Sequence, residues 1–229
     1  MTSAMRIGVA AVLTAAGFIT GAARVDAQDL SWSSAVEIGG DEVYVLFTEP
    51  SLLFGPEEGL RPLVSLGAYY IILDGENSWG LTPAAGLRWQ TDGGFISGKV
   101  GWAIRPDEAG ADVFGGGDSG LHTSGHVEYW GDGTWGLQGI ASYNWGAEFL
   151  WSRARGTRRV AEHASGASTA LGAEFLWLDG ATYQATYLGP VIQHIRPGGA
   201  VWAVSGGLKG VETTPDDNTW YLKVELSLP

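Results

Sequence analysis

The chain has 229 residues and a formal net charge of −12, with 13 Lys and Arg against 25 Asp and Glu. So acidic a chain is a poor match for phosphate backbones, which excludes nucleic acid as a natural partner. Cysteine is absent, which excludes a disulfide framework and thiolate chemistry, while 36 glycines exceed twice the ordinary usage of about 7% and accompany 11 tryptophans.

The chain opens on Arg6, an apolar run from Ile7 to Ile19, and small residues ending in Val25-Asp26-Ala27. That is the layout of a secretory signal peptide cleaved after Ala27; the run is short of the ~20 apolar residues of a spanning helix. The expected organisation is a signal peptide, 1–27, followed by one exported domain, 28–229. After Ala27 no apolar stretch reaches helix-spanning length. What recurs is alternation with period two, in segments of roughly ten residues.

The segment Trp79 to Gln90 carries this pattern most clearly. Trp79, Leu81, Pro83, Ala85, Leu87 and Trp89 fall on one face, and Gly80, Thr82, Ala84, Gly86, Arg88 and Gln90 on the other. Ten residues at ~3.3 Å each, tilted by ~40°, rise roughly 25 Å, the height of the lipid-facing band of an outer-membrane barrel. Trp79 and Trp89 would then stand one in each interfacial belt. Next, Ile96 to Ile104 places Ile96, Val100, Trp102 and Ile104 against Ser97 and Lys99. A long Gly- and Asp-rich loop follows, Pro106 to Gly120; its Gly115-Gly116-Gly117 lacks the lysine and helix of a phosphate-cradling loop.

His122, Ser124, His126 and Glu128 share one face of the following segment, with Leu121, Thr123, Val127 and Tyr129 opposite. Read as chemistry, the four are a Ser/His hydrolase site or a His/Glu metal site. Side chains on one face of a strand stand ~6.6 Å apart, too far for a nucleophile–base hydrogen bond, so the preferred reading is a polar column lining a barrel lumen. Gly133 to Tyr143 then sets Trp135, Leu137, Gly139, Ala141 and Tyr143 outward and Gln138 and Ser142 inward. Arg153, Arg155, Arg158 and Arg159 form a basic group that could contact an anionic glycan or lipid head group, though such residues more often pair with lumen carboxylates such as Glu128 or Glu174 or snorkel at the membrane edge. Parity leaves the direction of Arg153 and Arg155 open, because they share a face with Phe149 and Trp151.

Ser168 to Trp177 places Leu171, Ala173, Phe175 and Trp177 outward and Gly172 and Glu174 inward. The last segment sets Trp220, Leu222, Val224, Leu226 and Leu228 against Tyr221, Lys223, Glu225 and Ser227. Glycine- and aspartate-bearing turns separate the segments, among them Gly39-Gly40-Asp41, Asp74-Gly75, Gly131-Asp132-Gly133 and Arg196-Pro197-Gly198-Gly199. Counted between turns they yield about twelve strands, with ten as the alternative. An even number puts both chain ends on the periplasmic side, and sends the Pro106–Gly120 and Glu212–Asn218 loops outside.

The expected fold is therefore an all-β, antiparallel, up-and-down transmembrane barrel of the outer membrane of a Gram-negative-type cell. Its expected lumen lining is Arg88, Lys99, His122, Ser124, His126, Glu128, Gln138, Glu174, Gln184, Lys223 and Glu225. Its expected interfacial girdle is Trp79, Trp89, Trp102, Trp135, Tyr143, Trp177 and Trp220. No catalytic, cofactor-binding or metal site is expected. Both charge signs occur in the lumen set, so inward ion pairs should narrow the passage. The competing readings are a barrel enzyme acting on lipid or glycan through the His122–Glu128 face, and a soluble periplasmic glycan-binding sandwich.

The second half of the chain resembles the BcsS family of cellulose-biosynthesis outer-membrane proteins. The resemblance rests on Ala141-Ser142-Tyr143, Trp151-Ser152-Arg153 with Arg155-Gly156, Leu171-Gly172-Ala173-Glu174-Phe175, Asp179-Gly180, Tyr183, Leu188-Gly189-Pro190 and Ser205-Gly206-Gly207, within residues 130–229. It implies an accessory role in cellulose or exopolysaccharide export, with outer-membrane lipid and a polysaccharide or secretion complex as partners, and it implies no catalytic residues.

Overall fold

The computed structural model describes residues 28–40, 43–73, 76–105, 119–131, 133–181, 183–212 and 218–229. The signal-peptide segment 1–27, the turns at 41–42 and 74–75, Asp132, and the loop segments 106–118 and 213–217 lie outside the described residues. Twelve strands follow one another: β1 (Gln28–Gly39), β2 (Tyr44–Phe54), β3 (Gly59–Leu73), β4 (Glu76–Thr91), β5 (Gly94–Ala103), β6 (Gly120–Tyr129), β7 (Trp135–Asn144), β8 (Phe149–Glu162), β9 (Ser168–Asp179), β10 (Gln184–Ile195), β11 (Val201–Val211) and β12 (Thr219–Leu228). Each pairs antiparallel with its neighbours in sequence. β1 closes on β12 from Trp32↔Leu228 to Gly39↔Tyr221, so the sheet is a closed barrel without edges. Twelve, not ten, is the strand number.

Period-two alternation decides which way each side chain faces. On the outer face Ile96 is 60% exposed and Leu208 74%, whereas inward-facing Lys209 and Glu174 are 0% and 1% exposed. The usual order of a soluble fold is thus inverted, with apolar side chains outside and charge within. In water, so wide an apolar exterior would be unfavourable at roughly 25 cal/mol per Å². Against hydrocarbon it costs nothing, and closure leaves no unpaired backbone row facing lipid. The architecture is that of a membrane-spanning β-barrel.

Aromatic side chains gather at the two ends of the outer face. Trp89, Tyr129, Trp135 and Trp202 stand exposed near the end that carries Gln28 and Leu228. Tyr44, Trp79, Trp102, Trp145, Trp177 and Trp220 stand exposed near the other, and Tyr143 packs edge-on against Trp145 at 4.9 Å between ring centroids. Leu87, Leu137, Leu171, Ile192, Val204 and Val224 occupy the band between.

Glycine permits close approach of neighbouring strands and side chains at two points of the wall. A Cβ on Gly172 would overlap the Gly156 carbonyl oxygen across the β8–β9 seam, and one on Gly80 would enter the Tyr69 ring that lies over it from β3. The neck of the 106–118 segment is clamped: Arg105 N–H donates to Ser119 Oγ at 3.0 Å, and Ser119 Oγ donates to the Arg105 carbonyl at 3.3 Å.

Candidate functional site: the charged waist of the lumen

The inward positions near mid-height hold ionisable side chains, some from strands that are not adjacent, so several of their contacts run across the bore. Lys99 on β5 is hydrogen-bonded to Glu49 on β2. Arg153 and Arg155 on β8 both donate to Glu225 on β12, a chord spanning three intervening strands. Arg155 also donates to Glu174 on β9 at 2.6 Å, and Lys223 on β12 approaches the other oxygen of that carboxylate at 2.7 Å. Ser205 Oγ and the Tyr221 hydroxyl donate to the same oxygen at 2.6 and 3.3 Å.

The network continues through neutral groups. Arg153 donates to Gln138 Oε1 at 2.6 Å, and Gln138 Nε2 donates to Glu128 Oε2 at 2.9 Å. Trp130 Nε1 donates to the other oxygen of Glu128 at 3.1 Å, and Thr157 Oγ1 donates to Gln193 Oε1 at 3.1 Å. Lys99, Arg153, Arg155 and Lys223 are paired with Glu49, Glu174 and Glu225 in this layer. Charges withdrawn from water are tolerated when paired and hydrogen-bonded, a condition Glu174 meets with hydrogen bonds from Arg155, Ser205 and Tyr221 and the ion pair with Lys223.

Two cavities meet at this layer. A cavity of about 850 Å³ opens between the turns at the Gln28 and Leu228 end, and one of about 330 Å³ lies beyond. Glu49, Lys99, His126, Gln138 and Glu225 line both. Beyond the waist the wall of β8–β12 is mostly apolar: Leu176, Leu178, Tyr187, Val211 and Tyr221 form a buried cluster with Phe149 and Trp151 against it, and Lys209 is buried among them over the Tyr183 and Tyr187 rings. This resolves Arg153 and Arg155. They share a face with Phe149 and Trp151 because all four point inward, the aromatics filling the far part of the bore. Arg158 faces outward, its guanidinium 5.4 Å from the Trp135 ring, and Arg159 inward, 5.7 Å from the Trp130 ring.

Of the positions read as lumen-lining, Arg88, Lys99, His122, Ser124, His126, Glu128, Gln138, Glu174, Lys223 and Glu225 face the interior. Gln184 does not, and that expectation is corrected. It shares the outer face with exposed Leu188 and Ile192, and its amide donates to Asp179 at 2.7 Å at the strand end. The inward glutamine of β10 is Gln193. Glu37, Glu49, Arg61 and Lys209 are interior charges that the pattern did not single out.

Along the His122–Glu128 column, His126 packs edge-on against Phe95 at 4.7 Å and lies 3.8 Å from Glu128 Oε2. Ser124 Oγ and His126 Nε2 make no hydrogen bond among the described residues, so they are not joined as nucleophile and base. No group of three His, Cys, Asp or Glu among the described residues is placed to hold a metal. His163 and His194 meet 5.7 Å apart at the strand ends, away from this column. At the mouth of the larger cavity, the Glu58 carboxyl is held above its ordinary value by a hydrogen bond shared with Asp92 and by the Asp92 charge.

No family model matches the chain, and no curated protein matches it. Among solved structures it is similar to the β domain of the Bordetella autotransporter BrkA, at TM-score 0.47 and 14% identity over 89% of this chain and 100% of that one. A bacterial polysaccharide outer-membrane secretin follows at TM-score 0.40 and 8% identity, covering 89% and 98%. A triple mutant of the Rhodopseudomonas blastica porin follows at 0.26 and 8%, covering 88% and 99%. The fold assignment rests on the chain's own strand pairing, not on these likenesses.

Proposed function

We propose that this chain is a non-enzymatic barrel of the outer membrane whose passage is closed at mid-height by its own ion pairs, serving as an accessory to cellulose or exopolysaccharide export. The observation that carries the reading is the inversion of the barrel: apolar outward between two aromatic belts, charged and cross-linked inward. An open porin needs a wide, wet bore, and twelve strands stand between the side-chain-filled eight-stranded barrel and the sixteen-stranded channel. Here the chords from β12 to β8 and from β2 to β5 occupy that intermediate space. The link to polysaccharide rests on the resemblance of residues 130–229 to the BcsS family.

Two measurements test this. Separation of the cell envelope should place the chain with the outer membrane, released only by detergent; recovery in the soluble periplasm refutes the barrel reading. Deleting the gene should reduce extracellular polysaccharide without accumulating any lipid or glycan substrate. A substrate that builds up would support the enzyme reading instead.

A further inference from the structure

Arg61 on β3 and Arg88 on β4 stand directly opposite each other in the strand register, both on the inward face. Like charges at directly opposed positions are destabilising, with Cβ atoms about 4.5–5.5 Å apart. Arg61 finds one carboxylate, Asp29, at 2.8 Å. Arg88 has no ion pair among the described residues; its guanidinium lies 4.0 Å above the Phe95 ring, and its Nε is buried without a hydrogen-bond partner. Its nearest carboxylates are already engaged, Glu128 by Gln138 and Trp130 and Glu49 by Lys99. Stacking occupies the face of a guanidinium and leaves its in-plane donors free, the geometry that binds carboxylate and phosphate through two parallel hydrogen bonds. Both arginines line the larger cavity, whose volume of about 850 Å³ is that of a small-molecule site.

We propose that the cavity at the Gln28 and Leu228 end binds an oxyanion, the carboxylate or phosphate group of a soluble acidic solute, between Arg61 and Arg88. The bound anion turns a repulsive cross-strand pair into a bridged one. Phe95 fixes the Arg88 plane, and Asp29 holds Arg61 from the opposite side. The proposal deepens the closed-barrel reading by placing a ligand site on the periplasmic side of the waist, and it needs no passage through the barrel.

The test is calorimetric titration of the full barrel, refolded in detergent at low ionic strength, with sodium glucuronate, inorganic phosphate and neutral glucose. Glucuronate or phosphate should bind and glucose should not, the tighter anion telling acidic sugar from phosphate. Arg88→Gln should weaken binding by about ten-fold or more, the loss of one charge-assisted interaction. Arg88→Lys, which keeps the charge but not the fork, should recover only part, and Arg158→Gln on the outer face should change nothing. Each variant is checked for resistance to unfolding in unheated SDS, so a misfolded barrel is not counted as lost binding. Absence of binding by either anion, equal binding of glucose, or unchanged affinity in a folded Arg88→Gln barrel overturns the proposal. The closed-barrel reading survives each of those outcomes, because it is judged by fractionation and conductance.

Discussion

Arg155 meets Glu174 through two donors on one carboxylate oxygen, Nε at 3.2 Å and Nη2 at 2.6 Å, with side-chain exposures of 4% and 0%. Removing one member of such a pair costs more than the pair contributes, because the remaining charge is left buried. Glu174→Leu would strip the acceptor from Arg155, Lys223 and Ser205 together, and should cost about 3–5 kcal/mol. Among the described residues Glu128 serves only the neutral donors Gln138 and Trp130 within hydrogen-bond distance, so Glu128→Leu should cost less, about 1–3 kcal/mol. Urea unfolding in lipid vesicles, followed by tryptophan fluorescence, compares the two. Equal losses would mean that Glu174 is not the anchor of the waist.

The outer face should be sensitive to charge by depth. Ala85 sits mid-strand on the lipid side of β4, and Trp89 sits in the belt. An arginine at the membrane midplane costs about 2–4 kcal/mol and one at the interface about 0–1. Ala85→Arg should therefore destabilise the vesicle-inserted barrel clearly more than Trp89→Arg. The reverse order would contradict the depths assigned to these two positions.

How much of this was legible beforehand differs strand by strand. Trp79 to Gln90 declares itself because its inward residues are small or polar and its outward ones apolar. β2 and β3 do not: inward Phe47, Leu53, Leu63 and Ile71 are as apolar as outward Leu60 and Val64, so period-two contrast vanishes and Glu49 and Arg61 go unnoticed. Arg153 and Arg155 stayed ambiguous because Phe149 and Trp151 fill the far bore. Gln184 misleads because polar side chains are tolerated at strand ends, where Asp179 takes its amide. That Glu225 reaches Arg153 and Arg155 follows from closure, which joins the last strand to the first and brings distant segments across one bore.

Glycine at the β8–β9 seam should resist substitution. A Cβ at Gly172 would overlap backbone, the Gly156 carbonyl oxygen, with no flexible side chain to yield. Gly172→Ala should lower stability by about 1–3 kcal/mol through forced backbone shift. Gly98→Ala, on the outer face with open space around it, should be nearly neutral. Similar losses at both sites would show that the seam is not close-packed.

At the cavity mouth, Glu58 and Asp92 share a proton in acid. The folded Glu58 carboxyl is raised, so this pair adds stability that is fully present below the ordinary glutamate value of about 4.3 and is lost as pH rises through the raised value. Carbon NMR titration should show Glu58 falling back toward its ordinary value in Asp92→Asn. An unmoved titration would mean that Asp92 is not the cause.

The most direct measurement of the proposed closed waist is single-channel recording of the purified barrel in a planar bilayer. The native protein should show no large steady current steps. A barrel carrying Arg153→Ala, Arg155→Ala and Glu225→Ala together, which removes the chord from β8 to β12, should conduct. Large, steady, porin-like steps from the native protein would contradict the account.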